Sequence, residues 1–204
     1  MLIETLFRNQ KLFDLFRFVV HGDFKFEKKL IVEEINLDAV AKVLDFGCGI
    51  GQYSTIFENK TYHGVDSDEL CINYALKKFK GTFVLSKSDS LPFANDFFDL
   101  ILIINTFHHV SEKDLQKILC ELKRVLNKSG KIFILDVERA ASQPNIISKT
   151  MLKLDRGKFA RDFAQIRPAF EKYFRVEKHG FVNTAIYKYR EYFAVLCHSV
   201  ALKQ

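Results

Sequence analysis

The sequence predicts an α/β fold of three layers, in which a doubly wound and mostly parallel β-sheet carries helices on both faces. Two observations lead to this prediction. Short apolar segments typical of buried strands alternate with amphipathic segments typical of helices, and such alternation indicates a parallel sheet with right-handed crossovers. The run FFDLILIIN at 97–105 is almost continuously apolar, as a strand covered on both faces requires.

The predicted elements follow one another from residue 42. KVLDF at 42–46 is a short strand that ends at a glycine-rich turn, and GQYSTIFEN at 51–59 is expected to be a helix. A second strand, TYHGVD at 61–66, precedes a second helix, SDELCINYALKKF at 67–79. The third strand is expected in GTFVLSKSD at 81–89, the fourth in the apolar run, and the fifth in SGKIFILDVE at 129–138.

The clearest predicted helix follows the fourth strand. Ser111, with Asp114 three residues later, predicts an N-cap of the capping-box type. One face of the helix is marked by apolar residues at helical spacing, which are Leu115, Ile118, Leu119, Leu122, Val125 and Leu126.

Composition limits the kind of protein. The chain has 204 residues, 48% hydrophobic and 27% charged, which fits one domain (1–204) with a proper core. No apolar run approaches the roughly 20 residues of a membrane span, and the charged N-terminus differs from a signal peptide, so we expect a cytoplasmic protein. Four cysteines without a C-x-x-C pair indicate reduced thiols and no zinc site.

The stretch AKVLDFGCGIG at 41–51 carries the first functional signal. Gly47, Gly49 and Gly51 let the backbone turn sharply and let a ligand approach it closely. Their spacing differs from the G-x-G-x-x-G of dinucleotide-binding proteins, and Asp45 beside them would repel a pyrophosphate and attract a cation. Asp66, at the end of the second strand, is placed to accept both hydroxyl groups of a ribose. We therefore expect a cationic ligand that contains a ribose.

Together with later motifs, this stretch resembles the class I methyltransferases that use S-adenosylmethionine. VLDFGCGIG is similar to their first motif, GVDSD to the second, and SDSLPFANDFFDLIL to the stretch that binds adenine, while NTFHHV and ELKRVLNKSG fit the small-molecule methyltransferase group. The resemblance is dense over residues 42–137. It implies seven strands in the order 3-2-1-4-5-7-6 with strand 7 antiparallel, and YFRVEKHGF (173–181) and EYFAVLCHSVAL (191–202) are candidates for strands 6 and 7.

The resemblance assigns a set of residues to S-adenosylmethionine. These are Asp45, Gly47, Cys48, Gly49, Gly51, Asp66, Ser67, Ser88, Asp89, Ser90, Asn105 and Thr106. In this assignment Asp45 helps to hold the ammonium group, Asp66 binds the ribose, Asp89 takes the adenine edge, and Asn105 lies near the sulfonium. The structural alternatives are a turn cap for Asp89 and a space-filling role for Cys48.

Two histidines are the candidate catalytic residues. His108 and His109 follow the fourth strand at the active edge of the sheet, and either could act as a base if the acceptor is a hydroxyl group. The alternative is that one of them packs or caps beneath the site. Adjacent histidines project differently and form a poor metal pair without a nearby carboxylate, so we predict no metal.

The sequence also suggests a layout around the acceptor. We expect an N-terminal helical arm or lid at 1–35, the cofactor-binding core at 36–140, a helical substrate-side connection at 141–172 and a C-terminal strand pair at 173–204. Apolar stripes mark the arm and the connection; they are Leu12, Phe13, Phe16, Val19 and Val20 in the arm, and Phe159, Phe163, Ile166 and Phe170 in the connection, which is interrupted near Pro168.

Charge and aromatic content favour a small acceptor that is apolar or amphipathic and carries an acidic group. Residues 149–178 contain nine basic and four acidic residues, so they hold +5 of the chain's net charge of +6. Aromatic stripes are most often core, but their expected place at the mouth of the site favours the substrate role.

Other function classes remain open to different degrees. Nucleic acid is disfavoured because the Asn/Asp-Pro-Pro-aromatic tetrad of base methyltransferases is missing after the fourth strand. The glycine spacing disfavours a nicotinamide-dependent oxidoreductase. The alternatives that stay open are a methyltransferase acting on RNA or protein and a non-catalytic protein that retains the fold, and the oligomeric state is left open.

Overall fold

The computed structural model describes residues 24–86, 90–146, 148–149, 158–183 and 190–199. Within these ranges the chain forms a seven-stranded sheet in the order β3-β2-β1-β4-β5-β7-β6, which confirms the predicted order. The strands are β1 (Lys42–Phe46), β2 (Thr61–Asp66), β3 (Thr82–Leu85), β4 (Phe98–Ile104), β5 (Leu126–Val137), β6 (Phe174–Asn183) and β7 (Arg190–His198).

Four helices flank the sheet in the described part of the chain. They are α1 (Lys25–Glu34), α2 (Glu69–Lys78), α3 (Glu112–Val125) and α4 (Phe163–Glu171). Short 3₁₀ turns occupy Leu37–Ala39, Gln52–Ile56, Phe107–His109 and Ala140–Ser142. No helix of these residues is long and apolar enough to cross a membrane.

Strand pairing explains where a ligand can sit. β1 pairs in parallel with β2 and β4, and β4 with β5, whereas β7 runs antiparallel between β5 and β6, as predicted. The strand order reverses between β1 and β4, and in such sheets the crevice outside the carboxyl ends at this point binds the ligand.

Two apolar layers confirm the three-layer architecture. One layer packs α3 and α4 against one face of the sheet, with the β4 residues Ile101 and Ile103 at its centre. The other packs α1 and α2 against the opposite face, with Leu100 and Leu102. The alternation of β4 residues between layers explains why this strand is apolar at every position except Asp99.

Helix α3 follows its sequence pattern closely. Ser111 Oγ accepts a hydrogen bond from the backbone amide of Asp114 at 3.3 Å, which confirms the predicted N-cap. The apolar positions Leu115, Ile118 and Leu122 are fully buried. The pattern misjudges only Leu126, which begins β5 instead of ending the helix.

Two helix predictions are wrong. The segment 51–59 forms only a 3₁₀ turn at Gln52–Ile56, because Gly51 is left-handed (φ 79°) and the chain must return to β2 within ten residues. The predicted interruption at Pro168 does not occur, since α4 continues through it. The capping box of Asp162 and Gln165 satisfies the first turn of this short helix.

The aromatic stripe of the connection belongs to the core. Phe163, Ile166 and Phe170 are at most 4% exposed, and the Phe170 ring packs 5.8 Å from that of Phe107. The interpretation of these three residues as lining a substrate mouth is therefore wrong. The stripe of the arm, from Leu12 to Val20, lies outside the described residues, so the lid role of the arm stays a prediction.

Candidate active site

A cleft of about 460 Å³ lies at the carboxyl ends of β1, β2 and β4, which is the size range of small-ligand sites. Seven predicted site residues line it, namely Gly47, Gly49, Asp66, Ser67, Asn105, Thr106 and His109. The sequence therefore predicted much of the floor of the cleft. The roles of these residues in binding or catalysis stay predictions.

The glycine loop is fitted tightly to its neighbours. The backbone amides of Gly47 and Cys48 both donate to the Val65 carbonyl, at 2.9 and 3.0 Å. Gly47 has φ 75°, and a Cβ there would lie 2.4 Å from Thr106 Oγ1. Only glycine satisfies both conditions, so the loop can lie directly against the end of β4.

Asp66 ties the loop to the end of β2. One carboxylate oxygen accepts from the Gly49 amide at 2.8 Å and the other from the Asp68 amide at 2.9 Å. The side chain is only partly buried and borders the cleft. Each carboxylate oxygen has a second lone pair, so Asp66 can still accept from a ligand's hydroxyl groups.

Asp45 and Cys48 do not border the cleft. Asp45 is 1% exposed and accepts a short hydrogen bond from the Tyr62 hydroxyl. Burial raises the pKa of Asp45 to about 7, although the Tyr62 hydrogen bond opposes the shift. Burial also raises the pKa of the Cys48 thiol, whose position supports the space-filling alternative. A contact between Asp45 and an ammonium group stays a prediction.

The remaining predicted cofactor residues are Gly51, Ser88, Asp89 and Ser90, and neither Gly51 nor Ser90 lines the cleft. A Cβ on Gly51 would lie 2.6 Å from the Phe83 ring, so Gly51 serves packing and does not line the cleft. Ser90 is exposed, and its carbonyl accepts from Ser86 Oγ at 3.2 Å. Ser88 and Asp89 fall outside the described residues, and the adenine assignment with them.

Two glycines of the loop should respond differently to alanine. Gly51→Ala is expected to lower the free energy of unfolding by about 2–4 kcal/mol, because left-handed strain adds to overpacking against Phe83. Gly49→Ala is expected to cost about 1–2 kcal/mol, since nothing lies within 4 Å of its Cβ and only the strain at φ 51° remains. Urea unfolding measures both, and equal losses would contradict the packing role of Gly51.

The structure gives the two histidines different environments. His109 is exposed and borders the cleft, whereas His108 is 3% exposed beneath it. His108 Nδ1 lies 2.5 Å from Asp136 Oδ1, and its backbone amide donates to Asp136 Oδ2 at 3.1 Å. The position of His108 does not support the catalytic role predicted for it. It fits the alternative of a histidine that anchors the loop beneath the site.

The connection after β5 anchors the histidine loop from the other side. The Phe159 amide donates to the His108 carbonyl at 2.9 Å. Arg161 donates to the carbonyls of Phe107 and Val110, at 3.3 and 3.0 Å, and pairs with Glu112. Arg161 therefore has a structural role.

Other basic residues of 149–178 are also paired. Arg167 pairs with Glu171 on α4, and Lys178 pairs with Glu34 on α1. These ion pairs weaken the charge argument for an anionic acceptor. A substrate-lid role for the connection stays a prediction.

Asn105 has an unusual conformation at the end of β4. It is left-handed (φ 49°) without being glycine, a state that asparagine tolerates better than most residues. The backbone N–H of Asn105 donates to the Leu135 carbonyl at 2.8 Å. The side chain borders the cleft, and its Oδ1 is buried without a hydrogen-bond partner among the described residues.

Sequence reasoning missed three buried acids near the site. Asp136 follows the apolar run of β5 just as Asp45 follows that of β1, and this parallel could have identified it. Glu27 on α1 and Glu191 on β7 are 6% and 1% exposed. They are 164 positions apart, and no local pattern links them.

Metal binding gains no support from these side chains. Among the described residues, no group of three or more His, Cys, Asp or Glu residues could hold a metal ion. The absence of a metal stays a prediction.

Comparison with known proteins finds methyltransferases among the similar sequences. Residues 44–134 match the family described as a methyltransferase domain. A demethylmenaquinone methyltransferase of Thermotoga maritima is 30% identical over 122 residues, which cover 56% of this chain and 51% of that protein. The chain spans about half the length of the curated relatives it matches first.

Solved structures share the fold. A protein of Pyrococcus horikoshii OT3 superposes with a TM-score of 0.71 at 19% identity, covering 93% of this chain and 99% of that one. A SAM-dependent methyltransferase from Aquifex aeolicus gives a TM-score of 0.64 at 24% identity, covering 83% and 89%. At these identities the likeness extends to the fold alone.

Proposed function

We propose that the chain is a class I S-adenosylmethionine-dependent methyltransferase, as its match to a methyltransferase domain over residues 44–134 supports, and that it transfers the methyl group of this cofactor to a small acceptor by in-line displacement. The observation that carries the proposal is the pairing of Asp66 with the Gly49 amide on the floor of the cleft. This arrangement presents the Asp66 carboxylate and the backbone of Gly49, which has no side chain, to a ligand at the same edge of the sheet.

The residues of the cleft fit the cofactor. Asp66 and Ser67 would hold the ribose hydroxyls at the end of β2. Gly47 and Gly49 would lie along the methionine part, and the open space beside Gly49 leaves room for close approach. Asn105 and Thr106 would stand near the sulfonium, at the end of β4.

The cofactor supplies a methyl group on a sulfonium, whose sulfur is already a good leaving group. The protein therefore has to position the acceptor in line with the methyl group and to exclude water. Alignment of the reacting atoms can supply much of the reduction in barrier. Thr106 Oγ1 donates to the Ile104 carbonyl at 2.9 Å and so fixes the turn after β4. The loop from Phe107 to Val110 is then held by Arg161 and Asp136.

His109 is the candidate base for an acceptor that must lose a proton. It is the histidine of the pair that borders the cleft, and imidazole titrates near neutral pH. His108, whose ring centroid is 4.1 Å from that of His109, would act through position alone.

The acceptor class is proposed on two grounds. The relative from Thermotoga maritima acts by its name on demethylmenaquinone, which supports a small apolar or amphipathic acceptor. Nucleic acid remains disfavoured by the sequence after β4, and a methyltransferase of RNA or protein or a non-catalytic fold remains the alternative. A cytoplasmic location stays a prediction.

Binding of S-adenosylhomocysteine, the demethylated cofactor, tests the proposal. At a ligand concentration 100-fold above Kd, the melting temperature should rise by about 5–10 °C, because a ligand bound only to the native state stabilises it. NADH at the same concentration should leave it unchanged. Failure of both S-adenosylmethionine and S-adenosylhomocysteine to raise it at millimolar concentration would refute the proposal.

Asp66→Ala should weaken S-adenosylhomocysteine binding by about 10- to 150-fold, the range for lost hydrogen bonds to a charged group. Calorimetry below the melting temperature measures this, because the loss of the Gly49 contact also lowers stability. Glu69→Ala is the matched control, since Glu69 is exposed on the neighbouring helix. An Asp66→Ala protein that is folded and binds as tightly as the parent would exclude the ribose role.

A further inference from the structure

Four buried side-chain oxygens near the carboxyl end of β4 have no hydrogen-bond partner within the described part of the chain. They are Glu27 Oε2, Gln52 Oε1, Asn105 Oδ1 and Glu191 Oε2. Glu27, Gln52 and Glu191 are 6%, 9% and 1% exposed. Buried polar groups are paired in nearly all native structures, so this set requires an explanation.

The four side chains come together on one face of the sheet. Glu191 lies two residues before Phe193 on β7, on the same face, and Glu27 lies one turn after Phe24 at the start of α1. Phe24 and Phe193 belong to one apolar cluster with Tyr53, and the Phe24 and Tyr53 rings meet edge to face at 5.8 Å. Gln52 directly precedes Tyr53.

Electrostatic coupling between the two acids agrees with this placement. Burial raises the pKa of Glu191, and the charge of Glu27 raises it further. Burial likewise raises the pKa of the Tyr53 phenol, with contributions from both Glu27 and Glu191. The Asn105 amide lies close enough to Glu191 to favour its charged form. Asn105 therefore connects this group to the cofactor cleft that it also borders.

The four unpaired atoms are all hydrogen-bond acceptors. Protonation would satisfy a carboxylate in part, but it does nothing for the amide oxygen of Gln52, which stays unpaired. An isolated buried acceptor costs several kcal/mol, and two carboxylates with an amide oxygen match a group that carries several N–H donors and a positive charge.

We propose that Glu27, Gln52 and Glu191 form the acceptor end of the active site and bind an amine as the methyl acceptor. This inference rests on the proposed function, because it needs the sulfonium near Asn105. Glu191 takes a proton from the ammonium form of the acceptor, and the freed nitrogen lone pair attacks the methyl carbon. The carbon–sulfur bond breaks with its electron pair remaining on sulfur, and the nitrogen ends as a charged N-methylammonium.

The second carboxylate, Glu27, suits this step for another reason. Positive charge moves from sulfur to nitrogen as the methyl group is transferred, so the negative charge of Glu27 stabilises the charge that develops there while Glu191 holds the proton. The high pKa that burial gives Glu191 makes its carboxylate a stronger base than an exposed glutamate.

Matched amines and alcohols test the subsite. The probes are methylamine, butylamine, benzylamine and phenethylamine, each paired with the alcohol of the same skeleton, and calorimetry measures their binding to the complex with S-adenosylhomocysteine. We expect at least one amine to bind about tenfold or more tightly than its alcohol. We also expect N-methylation of that amine by S-adenosylmethionine.

Glu191→Gln should lower the affinity for that amine by about tenfold or more and leave S-adenosylhomocysteine binding within about twofold. Glu27→Gln is the second variant, should Glu191→Gln not fold. Glu33→Gln is the control, because Glu33 lies on the same helix α1 with a side chain that is 55% exposed.

Three results would overturn the inference. They are the absence of amine binding at 10 mM across the probes, equal affinity for amines and alcohols, and unchanged amine affinity in Glu191→Gln and Glu27→Gln. Failure of S-adenosylhomocysteine itself to bind would refute the proposed function instead, so the two failures are distinguishable.

Discussion

Asp136→Ala should lower the free energy of unfolding by about 3–5 kcal/mol, the cost of removing one partner of a buried hydrogen-bonded pair. Asp136 is 1% exposed and accepts from three groups, which are the His108 ring, the His108 amide and the Val137 amide. Alanine leaves all three without this acceptor in the interior. Urea unfolding followed by circular dichroism measures the loss.

The variant Asp136→Asn separates charge from hydrogen bonding. It keeps the shape and one acceptor oxygen, so we expect a smaller loss than for alanine, on the order of 1–3 kcal/mol. Activity should fall in both variants, because the loop that presents His109 is anchored through His108. A loss below about 1 kcal/mol in Asp136→Ala would show that His108 and Asp136 are not coupled in solution.

The elements that sequence reasoning predicted correctly are those in which one local pattern determines the structure. In β4 both faces of the strand are covered, so every position except Asp99 near its start is apolar, and the run at 98–104 shows this directly. In α3 the cap residue Ser111 and the apolar face agree. Local pattern and global fold are consistent there, which is the condition for prediction from one sequence.

The wrong predictions come from contacts that a single segment does not contain. The stripe with Phe163 and Phe170 has the same spacing whether it faces a substrate or the core, and packing against Phe107 decides for the core. The segment after Gly51 has a composition typical of a helix. A single 3₁₀ turn is nevertheless enough to bury both Tyr53 and Phe57.

The candidate site divides in the same way. Gly47, Gly49 and Asp66 lie within 20 residues of one another and carry a motif, so the sequence placed them. Glu27 and Glu191 are brought together only by the docking of α1 against β7. Long-range contacts of this kind decide which side chains meet the acceptor, and the cofactor motif carries no information about them.

Asp45→Asn should change the pH dependence of stability more than any other single substitution of the first motif. The pKa of Asp45 in the folded protein is about 7, against about 3.9 in an unfolded chain. Between these values the folded state keeps the proton that the unfolded state has released. The contribution of Asp45 is therefore fully present below about pH 4, falls as the pH rises, and is lost above about pH 7.

A shift of this size corresponds to about 4 kcal/mol. The stability of Asp45→Asn relative to the parent should thus rise by about that amount between pH 4 and pH 8, because asparagine does not ionise and still accepts from the Tyr62 hydroxyl. Other titrating groups contribute equally to both proteins and cancel in the difference. Urea unfolding of the ligand-free proteins at a series of pH values gives the difference curve.

Tyr62→Phe provides the graded comparison. The Tyr62 hydrogen bond lowers the pKa of Asp45 against the effect of burial, so its removal should move the fall in stability to higher pH. Phenylalanine keeps the ring contacts with Phe57 and Phe83, and the change then reports on the hydroxyl alone. Parallel curves for Asp45→Asn and the parent from pH 4 to pH 8 would mean that Asp45 is ionised in the folded protein throughout. A charged Asp45 beneath the glycine loop would instead be available to attract the ammonium group of the cofactor.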